Sequence, residues 1–128
     1  MNNRKNLLLL LTAFAAAMIL SGCGKDNNYT VSGTVSYKGE LVPDGSISFV
    51  SSDSKLSPQG ASIHDGKYVA KVRPGVMTVR ITGSKPDPKQ KMLDGTPFWT
   101  DFVPEKYGSQ STLTVEIKGN QTENFDLE

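Results

Sequence analysis

Three observations predict an all-β fold for this chain. Apolar and polar residues alternate with period two over most of the sequence beyond residue 28, turn-forming dipeptides recur at short intervals, and no stretch there shows the spacing of an amphipathic helix. Together they predict a seven-stranded antiparallel β-sandwich of Greek-key type occupying residues 29–128. The chain has 128 residues, which suits one small domain with a single core. Its 14 basic and 13 acidic residues leave a formal charge of +1, so no broad basic field exists to attract nucleic acid. One cysteine excludes an intramolecular disulfide.

Residues 1–22 precede the alternating pattern and read as a lipoprotein signal peptide. Arg4 and Lys5 make the start positive, and residues 7–20 are apolar except for Thr12. That run is shorter than the roughly 20 residues of a permanent membrane span. Leu20, Ser21 and Gly22 then form a lipobox directly before Cys23. The pattern resembles bacterial lipoprotein signals, which implies diacylglycerol on the Cys23 thiol and an acyl chain on its new amino terminus. No other cofactor is expected. Several acyl chains bury enough methylenes for stable membrane anchoring. Gly24 stands where an inner-membrane retention signal would place aspartate, which favours the outer membrane of a diderm cell. Residues 23–28 are small and polar and read as a tether.

The strands follow in order. Val31, Val35 and Tyr37 share one face of the first, with Gly33 among them, and Lys38-Gly39 turns the chain. After Pro43-Asp44-Gly45, Ile47 and Phe49 point inward between serines; residues 51–58 are polar and read as an exposed loop. Ala61 and Ile63 make a short strand, and Asp65-Gly66 supplies a two-residue hairpin connection, because both residues tolerate the positive φ of a type I′ turn. Tyr68, Ala70 and Val72 form the return face. Arg73-Pro74-Gly75 turns again, and Met77, Val79 and Ile81 define a long strand ending near Gly83-Ser84. Residues 85–111 hold four prolines and no sustained alternation, and are expected to form one long irregular loop. Leu113, Val115 and Ile117, then Phe125 and Leu127, complete the inward set.

Several of these motifs carry a family resemblance. Gly33-Thr34-Val35, Gly39 with Val42-Pro43, Gly45-Ser46-Ile47-Ser48-Phe49, Asp65-Gly66-Lys67-Tyr68 and Pro74-Gly75 stand in the order found in transthyretin-like (prealbumin-like) domains, including carboxypeptidase regulatory-like modules. Val103-Pro104-Glu105-Lys106-Tyr107 and Phe125-Asp126-Leu127 look like the small bacterial lipoproteins of that group. The resemblance spans nearly all of residues 30–128 and rests on turn chemistry, so it implies a fold and not a ligand. Met77 departs from the aromatic that such modules often carry after Pro-Gly.

Catalytic constellations are missing from the sequence. His64 is the single histidine, so sites needing several imidazoles cannot be built, and beside Asp65-Gly66 it reads as a surface residue. No nucleophile elbow, phosphate-binding glycine loop or calcium-loop spacing occurs. Hydroxyisourate hydrolase shares the transthyretin fold, but the chain lacks its histidines and ends Phe125-Asp126-Leu127-Glu128. No metal site and no catalytic residue is expected, and the chain does not read as an enzyme.

The remaining signal is aromatic. Phe98, Trp99, Phe102 and Tyr107 gather in the irregular stretch among Asp94, Asp101 and Glu105. They read either as a cover that seals one end of the fold or, for Phe98 and Trp99, as a partner-binding surface with Phe102 and Tyr107 packed beneath. The function expected is therefore a membrane-anchored binding or adhesion module for an envelope protein or glycan. A structural envelope component without a ligand is the alternative, and a transthyretin-fold hydrolase is disfavoured. The sequence leaves the oligomeric state open.

Overall fold

The computed structural model describes residues 27–128. The expected signal peptide of residues 1–22 with Leu20, Ser21 and Gly22, the expected lipidation position Cys23, and the expected tether up to residue 26 lie outside the described residues. The chain forms β1 (Tyr29–Tyr37), β2 (Glu40–Leu41), β3 (Asp44–Ser51), β4 (Gln59–His64), β5 (Lys67–Val72), β6 (Gly75–Lys91) and β7 (Pro97–Asp101). A 3-10 turn (Glu105–Tyr107) follows, then β8 (Leu113–Ile117), β9 (Gln121–Thr122) and β10 (Phe125–Leu127). No α-helix occurs among the described residues, and none there is long and apolar enough to cross a membrane.

The fold is all-β, as expected, but its organisation differs from a seven-stranded sandwich. Ten strands join in one curled sheet of order β10-β1-β5-β4-β3-β6-β7, with β8 also on β6 and with β2 and β9 on β1. The curl has a local cause. β3 and β4 pair along their whole length, from Asp44↔His64 to Phe49↔Gln59, whereas β4 and β5 share only His64↔Lys67 at their tight turn. The sheet creases there, and its two wings close over one core instead of separating into two layers. The pairing is also not wholly antiparallel: β9 and β10 run parallel to β1, through Val31↔Gln121 and Val35↔Phe125.

The alternation read from the sequence places the core. Val31, Val35, Ile47, Phe49, Ile63, Tyr68, Val72, Met77, Val79, Ile81, Ile117 and Leu127 are buried. Their polar neighbours on the same strands face out, as period-two geometry requires. The turns follow the same logic. Asp65 and Gly66 take φ of 50° and 76°, and Lys38 and Gly39 take 50° and 78°, so both two-residue connections have the twist that matches flanking strands.

Tyr68 links the core to the C-terminal strands. Its hydroxyl donates to the Glu123 carbonyl at 2.6 Å. Burial, aided by the nearby Glu123 carboxylate, pushes its ionisation well above the ordinary tyrosine range near pH 10. The folded state therefore keeps this proton where the unfolded chain releases it, and stability falls as pH rises beyond about 10. Thermal melts across pH 9–11 are expected to show a declining midpoint, and Tyr68→Phe should flatten that decline while costing about 1 kcal/mol at neutral pH for the lost hydrogen bond.

Residues 85–111 are not an irregular loop. β6 continues past Ser84 to Lys91, and β7 returns along it through Ser84↔Asp101, Lys85↔Thr100, Pro86↔Trp99 and Asp87↔Phe98, with a bulge before Lys91↔Pro97. Three of the four prolines, Pro86, Pro88 and Pro97, lie in this hairpin. The segment after it follows the edge of β6. Phe102 and Val103 N–H donate to the Gly83 carbonyl at 2.8 and 3.2 Å, and the Ser111 hydroxyl donates to the Val79 carbonyl before β8 resumes the ladder. Backbone pairing builds the hairpin without a buried face, which removes the apolar alternation that would have marked it, and only beyond it does Val103 reach the core.

Candidate functional site

The β6–β7 hairpin projects from one pole of the sheet. β3 leaves β6 at Asp44↔Ser84, so from Lys85 onward β6 has only β7 beside it. The chain enters at the other pole, where Tyr29 pairs with Val72. Between the strands, residues 93–95 make a three-residue loop. Met92 N–H donates to the Thr96 carbonyl at 2.8 Å, Gly95 N–H donates to the Met92 carbonyl at 2.9 Å, and Gly95 has a φ of +87°. That is the left-handed conformation such loops need at their last position. The Asp94 carboxylate accepts from the Thr96 hydroxyl at 2.7 Å and its N–H at 3.0 Å. These bonds, the hydroxyl foremost, hold the Asp94 carboxyl below its ordinary range.

The hairpin carries large apolar side chains into solvent. Leu93 is fully exposed at the tip, Met92 is half exposed, and Phe98 and Trp99 are 40% and 47% exposed. Adjacent strand residues point to opposite faces, so Phe98 and Trp99 serve different surfaces. Phe98 joins Lys91, Met92, Leu93 and Asp94 around an open concavity of about 520 Å³. Trp99 lies on the other face, paired with Pro86. Iodide is expected to quench the fluorescence of this single tryptophan readily in the folded protein.

The other two aromatics of the stretch pack instead. Phe102 meets Tyr37 edge-on at 5.4 Å between ring centroids, and Tyr107 lies 6.5 Å from the same ring. The Lys85 ammonium sits 4.4 Å from the centre of the Phe102 ring and 3.4 Å from the Glu40 carboxylate. The Tyr107 hydroxyl donates to the Glu128 carbonyl at 2.6 Å and accepts its N–H at 3.0 Å. This cluster closes the base of the hairpin, so the stretch contributes both a cover and an exposed surface.

A second hollow lies on the Trp99 face. Thr82, Asp101, Glu105 and Ser109 are among the residues around a cavity of about 230 Å³, between the edge of β6 and the 3-10 turn. His64 stands apart on β4, exposed, with Nδ1 3.2 Å from the Asp44 carboxylate. Among the described residues, no group of three or more His, Cys, Asp or Glu side chains is placed to hold a metal ion.

No family model matches the chain, and no curated protein matches it in sequence. Among solved structures it is similar to a DUF3823 family protein from Bacteroides ovatus, at 18% identity and TM-score 0.48 over 77% of this chain and 43% of that one. A DUF3823 family protein from Parabacteroides merdae shows 16% identity and TM-score 0.42 over 77% and 45% of the two chains. A 9R-lipoxygenase from Cyanothece shows 11% identity and TM-score 0.39 over 80% and 16%. The chain thus spans less than half the length of each of these proteins.

Sequence reasoning singled out Phe98 and Trp99 but missed Met92 and Leu93, which the hairpin brings beside Phe98. The available signal was Asp94-Gly95, a turn dipeptide with an apolar pair before it and another after it.

Proposed function

We propose that this chain is a lipid-anchored lipoprotein of the cell envelope, with the outer membrane its favoured location. It acts as a non-catalytic binding module that offers the β6–β7 hairpin to a protein or glycan partner. The observation that carries this reading is the exposure of Met92, Leu93, Phe98 and Trp99 on one projecting, backbone-ordered hairpin. Clustered apolar surface in water costs about 25 cal/mol per Å², and docking removes that cost. The curled sheet is read as a variant of the transthyretin-like sandwich.

Acylation of Cys23 would hold the entry pole near the membrane, since a tether of residues 23–28 reaches at most about 20 Å. β1 alone spans about 30 Å, and the hairpin adds to that beyond its far end. The apolar tip is therefore presented away from the anchor. Two measurements test the reading. Metabolic labelling with a clickable fatty acid should mark the wild type and not Cys23→Ser. A photocrosslinking amino acid at Leu93, activated in intact cells, should give a discrete adduct that Phe98→Ala with Trp99→Ala reduces at least tenfold without lowering the melting temperature. Absence of any adduct would overturn the contact role and leave a spacer without a ligand.

A further inference from the structure

We propose that Met92 is an oxidation site at which a peroxide turns the apolar tip of the β6–β7 hairpin polar. The effect on docking rests on the binding-module reading above, whereas the site itself rests on exposure. The chain holds 4 methionines, of which Met77 and Met92 fall among the described residues. Met77 is 2% exposed in the core, and Met92 is 53% exposed. A close-packed core shields a thioether from a dissolved oxidant, and solvent does not.

The surroundings of Met92 give the chemistry a consequence. It lines the open concavity with Leu93 and Phe98, part of the apolar surface that docking would cover. Its backbone is held on both sides: its N–H donates to the Thr96 carbonyl at 2.8 Å, and its carbonyl accepts the Gly95 N–H at 2.9 Å. Oxidation therefore alters the side chain while these loop bonds remain. A sulfur lone pair attacks one oxygen of hydrogen peroxide, so that an S–O bond forms as the O–O bond breaks. The departing hydroxide takes the proton of the transferred oxygen and leaves as water. The thioether is oxidised by two electrons to a sulfoxide, and the peroxide is reduced by the same two. A sulfoxide oxygen sits where a partner needs a dry contact, and desolvating it there weakens docking. Thiol-dependent reduction returns the electrons and releases the oxygen as water, which makes the change reversible.

The test begins with the full lipidated chain in detergent micelles, treated with graded hydrogen peroxide, digested and followed by mass spectrometry. The Met92 peptide is expected to gain one oxygen at least about tenfold faster than the Met77 peptide, and urea should bring the two rates together. Methionine sulfoxide reductases of both stereospecificities should together remove that oxygen. In intact cells, peroxide should lower the adduct formed from the photocrosslinking residue at Leu93 at least about fivefold. The adduct of Met92→Leu, at whatever level that variant starts, should not respond. Equal rates for Met77 and Met92 in the folded chain would overturn the site, and equal proportional loss of adduct with and without Met92→Leu would overturn the switch. No adduct in untreated cells would instead remove the binding-module reading and the effect on docking with it, while the oxidation site stands or falls on the two peptides.

Discussion

Gly33→Ala is expected to destabilise the fold by about 3 kcal/mol, among the largest effects of any small substitution in this chain. A Cβ at position 33 would lie 1.9 Å from the Glu123 carbonyl oxygen and 2.9 Å from the Asn124 side-chain oxygen. Neither neighbour is free to retreat. Glu123 donates its N–H to the Ser32 carbonyl at 2.8 Å and accepts from Tyr68, while the Asn124 amide oxygen accepts the Thr34 N–H at 2.9 Å. The added methyl must push the β9–β10 junction off β1 and so loosen bonds worth about 1 kcal/mol each. Urea titration checks this, and a reduced m-value would indicate that β9 and β10 detach in the folded state. Because the Tyr68 bond is one of those loosened, Gly33→Ala combined with Tyr68→Phe should cost less than the sum of the two.

Phe49→Ala is expected to cost about 3–5 kcal/mol, the range for removing a buried aromatic side chain. Phe49 is 1% exposed on β3, with its ring centroid 6.3 Å from that of Tyr68, which in turn lies 6.3 Å from that of Phe125. This aromatic line crosses the curl and joins wings that share only one residue pair at the crease. Its loss leaves a cavity where the two halves meet. Domains of this size hold about 5–15 kcal/mol in total, so a substantial unfolded population is expected in mild denaturant. Val69→Ala, on the exposed face of β5, should by comparison change stability by less than about 0.5 kcal/mol.

Where a strand has one wet and one dry face, its residues announce it. Ile47 and Phe49, Tyr68, Ala70 and Val72, and Met77, Val79 and Ile81 were legible because burial on one side imposes period two. Asp65-Gly66 was legible because few dipeptides accept two positive φ angles. The extension of β6 to Lys91 and its partner β7 were not, since neither face of the hairpin meets the core and its prolines resemble loop punctuation. Strand direction was equally hidden. Asn120 and Asn124 accept the Thr30 and Thr34 N–H groups with side-chain oxygens, fixing the parallel C-terminal strands in a way that periodicity cannot encode. Of the site, the aromatics and their division into exposed Phe98 and Trp99 over packed Phe102 and Tyr107 were legible; that Phe98 and Trp99 face opposite sides was not, because it follows only from their standing next to each other on a strand.

The prolines of the hairpin bear on how copies of the protein behave when crowded. Beyond Ser84, β6 and β7 each have an edge with no neighbouring strand, and a projecting ribbon with an apolar tip is the kind of template onto which further strands add. Pro86, Pro88 and Pro97 donate no amide hydrogen, and Asp87, Lys89 and Lys91 place charges among them. Growth of a shared sheet from this ribbon is thereby opposed. The hydrophobic tip can be displayed at high density while association stays limited to side-chain contact, which is finite and reversible rather than fibrillar.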